Sequence, residues 1–237
     1  MNEKANFARI ESAIRTSLQN GRRLLDDAEF LEFSEPPTTA YFLSIIAQEE
    51  FAKAFLLALV RREVIPWIWK RYLLRAAQDH ACKQLLFVVM EYLNPDFQEF
   101  KDRCDAVVLR HELPIFPAKV ADAIFILRHE KIGQWESQGW CWAEEPEYDR
   151  EALAIANGKQ DRVKQNALYV RLAADGGVAS APSDVTRDTV RNEMERAKRF
   201  AQLVDSLLAD GAHPGLDYDK VEEAFKSLFA SVQDSPA

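Results

Sequence analysis

Glycine is scarce in this chain, with 8 among 237 residues, and cysteine scarcer, with 3. So few glycines leave too little turn chemistry for a sheet protein of many short strands. Cys82, Cys104 and Cys141 are odd in number and far apart, with no Cys-x-x-Cys. Neither a disulfide framework nor a cysteine zinc site is indicated, and a reducing cytoplasm fits. The 4 histidines, His80, His111, His129 and His213, lack helical metal-ligand spacing, so no metal is expected. No Walker or Rossmann glycine pattern is present, and no cofactor is expected either. Residues 1–15 alternate charged and apolar residues without an apolar core, which is not the pattern of a signal peptide. The longest apolar region, residues 40–60, carries Gln48, Glu49, Glu50 and Lys53 at its middle, where charges are costly in lipid. It reads as a buried helix, and no membrane partner is expected.

What the chain does have is helix-forming residues: Ala, Leu, Glu, Arg and Lys are plentiful, and 48% of residues are hydrophobic, enough for one sizeable core. The fold class is therefore all-α. The formal net charge of -8 repels polyanions at long range, so any nucleic-acid contact needs a local basic surface.

Apolar residues from Ile10 to Leu31 recur at three- and four-residue steps and predict a long helix over residues 5–33. Pro36 and Pro37 end it, and a second helix begins near Thr38 or Thr39 and runs to about Arg62. A third is expected from Pro66 to Tyr92, stopped by Asn94 and Pro95, with further helices over 96–109 and 117–135. Residues 138–148 read as a packed aromatic loop. A helix over 149–165 then runs into the β-prone Ala167, Leu168, Tyr169 and Val170. Gly176, Gly177 and Pro182 mark 173–183 as a linker. The expected organisation is a core over 1–172, that linker, and C-terminal helices over 184–237 packing on the core. Ser183 or Asp184 is the expected cap of a helix closing at Gly211, and a last helix spans about 219–232.

Three stretches could carry chemistry. In the first, Glu49 and Lys53 lie four residues apart on one helical face and can pair, whereas Glu50 points about 100° away and needs another partner. In the second, His80 and Lys83 share a face, and Arg75 precedes His80 with four residues between them. In the third, the cationic Lys159–Gln165, with Arg162 and Lys164, runs into Leu168-Tyr169-Val170 and could supply the cations Glu50 lacks. Each also has a plain structural reading: a surface ion pair, an interfacial histidine, a solvated basic helix before a core strand.

Together and in this order, the paired Glu with Lys three positions later, the His followed by Lys, and the basic segment leading into Leu-Tyr-Val resemble the AbiV family of abortive-infection proteins. The resemblance covers roughly residues 5–171. An acidic residue commonly follows Leu-Tyr-Val in that family, whereas Arg171 stands here. It implies a HEPN-like helical bundle with additional C-terminal helices and a role in phage defence. Many HEPN proteins are metal-independent ribonucleases that use an Arg and a His four to six residues apart, facing the same pair across a homodimer cleft. On that resemblance Arg75 and His80 would be catalytic, and Glu49, Glu50, Lys53, Lys83, Arg162, Lys164 and Tyr169 would order or line the site. RNA and a phage-encoded activator protein would be its partners. The rival is a non-enzymatic helical protein that binds a phage or host translation component, its polar cluster purely structural; nucleotide binding without cleavage is a third reading.

Overall fold

A computed structural model describes residues 3–94, 107–108, 113–136, 147–182, 185–209 and 216–230. Helix α1 spans Glu3–Phe30 and α2 spans Thr38–Arg61, joined by the expected proline turn. They form the most extensive helix pair of the fold. Gly21 is what lets them approach: a Cβ there would lie 2.4 Å from the Phe51 ring of α2, which is fully buried.

The single helix expected from Pro66 to Tyr92 is instead interrupted. A 3-10 turn, Trp67–Trp69, leads into α3, Lys70–Ala76, and α4 restarts at His80 and runs to Tyr92. The cause is Asp79, which adopts extended geometry and accepts a hydrogen bond from the Cys82 amide at 2.9 Å. It thereby caps a new helix rather than continuing the old one. As a result His80 is the first residue of α4, and Arg75 belongs to the last turn of α3.

The helix expected over 96–109 falls mostly outside the described residues. Within it Val107–Val108 is extended, not helical: it forms β1 and pairs antiparallel with β2, Phe116–Pro117. Helix α5, Ala118–Phe125, continues through a π-helical stretch, Ile126–Ile132, into α6, Gly133–Glu136. The loop over 138–148 likewise lies outside the described residues, apart from its last two positions. The helix over 149–165 is also two helices, α7 (Arg150–Ala156) and α8 (Lys159–Asn166). Gly158 breaks it, with a φ of 76° that favours glycine. Strands β3 (Arg171–Leu172) and β4 (Val178–Ser180) pair into a hairpin, so the stretch read as a linker holds its turn and second strand. Tyr169 and Val170 precede β3 and are exposed, not core. Helix α9, Arg187–Leu208, is capped by Thr186, because the Thr186 side chain accepts from the Thr189 amide. The expected caps Ser183 and Asp184, and the expected stop Gly211, lie outside the described residues. Helix α10 spans Leu216–Ala230.

Helices α2 and α4 are buried nearly all round and form the centre. Helices α1 and α9 pack on α2, and α5 and α7 pack on α4. Helix α8 touches both α2 and α4. The far end of α10 is tied in by Trp69, which donates to the Phe229 carbonyl at 3.2 Å, and by Arg128, which donates to the Leu228 carbonyl at 3.0 Å. Among the described residues no helix is long and apolar enough to cross a membrane.

Candidate functional site

Where α2, α4 and α8 meet, one carboxylate gathers most of the polar groups singled out in the sequence. Glu49 is 2% exposed, deep on α2. Its Oε2 accepts from Lys83 Nζ at 2.9 Å and lies 2.6 Å from His80 Nδ1. Its Oε1 accepts from Lys164 Nζ at 2.8 Å and Gln84 Nε2 at 3.2 Å. Three of these partners come from the first turns of α4, and Lys164 from α8. The restart of α4 at Asp79 thus positions His80, Lys83 and Gln84 on one inward face.

Burial pushes the Glu49 carboxyl up, but the Lys83 charge and hydrogen bonds from Lys164 and Lys83 outweigh it and hold the group below its usual range. An ionised carboxylate only accepts, so the proton of the short contact sits on His80 Nδ1. The other ring nitrogen, Nε2, makes no hydrogen bond to a described residue, and the His80 side chain is 51% exposed. The arrangement is a buried carboxylate that fixes both the tautomer and the direction of a surface imidazole, which is what a general acid–base requires.

Lys164 Nζ lies 2.8 Å from Glu49 Oε1, 2.7 Å from Asp161 Oδ1 and 3.1 Å from His80 Nδ1. Donor atoms of Glu49, His80 and Asp161 all fall within 4.8 Å of one another, close enough to hold a metal ion. The ammonium already lies against all three, so a metal would have to displace it. The donor set therefore works as an ion-pair hub.

Two expected pairings are exchanged. Lys53 pairs with Glu50 at 2.6 Å, three residues away, rather than with Glu49. The α8 cation reaches Glu49 rather than Glu50. The reason is burial: Glu49 lies wholly on the face covered by α4 and α8, whereas Glu50 and Lys53 sit at its margin, with side chains 16% and 27% exposed. Arg162 is exposed on α8 and its guanidinium reaches only the Asn157 carbonyl, at 3.5 Å. Tyr169 is 63% exposed and stands apart from the hub. Arg75 is exposed at the end of α3, its guanidinium 4.3 Å from the Trp135 ring centre. Sequence reasoning missed Gln84 and Asp161. Gln84 lies one helical turn beyond His80, and Asp161 three residues before Lys164, spacings that carry the signal but are too common to stand out.

No curated protein and no solved structure gives a match to this chain. A family model does: that of HEPN_AbiV, described as AbiV, matches residues 9–202 and so includes every residue of the Glu49 hub. The chain belongs to the AbiV family, and with it to the abortive-infection proteins of phage defence.

Proposed function

We propose that this protein is a metal-independent endoribonuclease in which His80 moves the protons, and that cutting RNA needed for translation is how it acts in phage defence. The observation that carries this reading is the 2.6 Å contact between buried Glu49 and the Nδ1 of a half-exposed histidine, which leaves Nε2 without a hydrogen bond to any described residue. In the reaction, Nε2 takes the proton of a ribose 2′-hydroxyl, and the 2′-oxygen attacks the adjacent phosphorus. The bond to the 5′-oxygen breaks, that oxygen leaves with a proton, and a 2′,3′-cyclic phosphate remains. A second copy facing the first supplies a protonated His80 for the leaving oxygen. Arg75, always cationic, stabilises the charge gained by the phosphoryl oxygens. Lys83, Gln84 and Lys164 act through Glu49, holding the carboxylate that holds the ring.

A rival reading is a non-enzymatic binding protein, favoured by the way Glu49 joins three helices as a structural tie would. Incubation of wild-type and His80→Ala protein with total bacterial RNA and tRNA in a chelator separates the two. The nuclease reading expects new termini bearing cyclic phosphate from wild type alone, formed with substoichiometric protein. Equal cleavage by His80→Ala would overturn it; no cleavage by either protein, with phage protection intact in His80→Ala, would favour the binder.

A further inference from the structure

Many cations of the described residues are neutralised by carboxylates of the fold: Arg22 by Asp205, Arg191 by Glu32, Lys198 by Glu29, Arg196 by Glu91. On helix α3 every cation lacks such a partner. Lys70, Arg71 and Arg75 are exposed, and none forms an ion pair with any described residue. The sequence explains why: residues 64–78 contain no Asp or Glu, in a chain that has 38. A chain with net charge -8 thus leaves three uncompensated cations together on a helix that ends at Ala76, just before His80. Arg71 and Arg75 are one helical turn apart, about 5.4 Å along the axis. The Arg75 carbonyl accepts from the Asp79 amide at 3.0 Å, which closes the turn immediately before His80. Stacking on Trp135 orients the Arg75 guanidinium without cancelling its charge.

We propose that Lys70 and Arg71, continuing from Arg75, form a track for the phosphodiester backbone of single-stranded RNA, delivering it to His80. This rests on the nuclease reading for its purpose, but not for its binding chemistry. Repeated negative charge at short spacing is what unpaired cations one turn apart recognise. Ile68 and Leu74, 77% and 49% exposed on the same segment, offer apolar surface to unstacked bases beside those cations.

The test measures the anisotropy of a labelled 2′-O-methyl single-stranded RNA, which binds but lacks the attacking hydroxyl, together with cleavage of the unmodified strand. Lys70→Ala/Arg71→Ala should weaken binding about tenfold and make the salt dependence shallower by about 1.4, the loss expected for two phosphate contacts on a single strand. In cleavage the loss should fall on KM rather than kcat. Lys226→Ala, which removes a cation paired with Glu222 on α10, should bind as wild type does. Binding by the double variant with unchanged affinity and salt slope would overturn the track, as would failure of wild type to bind RNA, or α3-dependent binding to anionic vesicles instead of RNA. Wild-type binding that depends on α3 without any cleavage would leave the track standing and sink the nuclease reading alone.

Discussion

The α1–α9 seam and the Glu49 hub are both built from ion pairs, yet they do different work. Along the seam, Arg22–Asp205, Arg191–Glu32 and Lys198–Glu29 join α9 to α1 and the turn after it through side chains mostly a fifth to a half exposed. Water already solvates those groups, so each pair contributes little. At the hub, Glu49, Lys83 and Lys164 have side chains 2%, 7% and 4% exposed. There the charges depend on Glu49, because its loss leaves Lys83 buried without a carboxylate and Lys164 with Asp161 alone. The same chemistry is decoration in one place and an obligation in the other.

Removal of the central acid should break the hub most severely. Glu49→Ala leaves the buried Lys83 ammonium without a carboxylate and Lys164 with Asp161 alone, and urea unfolding should show a loss of ~3–5 kcal/mol. Equal stability with wild type would mean that the site is wet. Acidification should act through a different, half-buried group. Burial first, and then the Arg128 charge, push the His129 ring down to about 4, from about 6.5 in an unfolded chain. The stability due to its neutral form is complete above about pH 6.5 and is lost as pH falls toward 4, at about 1.4 kcal/mol per pH unit. Unfolding curves of wild type and His129→Phe across that window measure this, the variant showing the flatter profile.

Gly21→Ala should cost ~1–3 kcal/mol, since its methyl would enter the space of the Phe51 ring and a ring without exposure has no room to give. On the seam, Lys198→Ala should change the unfolding free energy by less than ~0.5 kcal/mol, although Lys198 touches both Glu29 and Glu195. A loss there as large as that of Glu49→Ala would erase the distinction between the two regions.

The helical class and the long helices α1, α2 and α9 were legible because an apolar stripe repeated over many turns at helical spacing suits a helix and no strand. The breaks were harder to read. Asp79 and Gly158 each stop a helix within an otherwise helical pattern, and a single capping acid or a single left-handed glycine is a weak local signal. The site residues Glu49, His80, Lys83 and Lys164 could be named from the sequence, but their partners could not. Helical spacing suggested Glu49 with Lys53, while the actual partners come from residues 80–84 and 164, and only the packing of α4 and α8 over α2 brings them together.

His80 is held by the hub without holding it up, so function and stability should separate at this one residue. Urea unfolding and single-turnover RNA cleavage of His80→Ala beside wild type, in the same buffer, put that separation to the test. Glu49 retains Lys83, Gln84 and Lys164 in the variant, so its stability should lie within about 1 kcal/mol of wild type while cleavage is lost. A variant that still cuts RNA, or one that loses stability on the scale of Glu49→Ala, would show that His80 does not play this part.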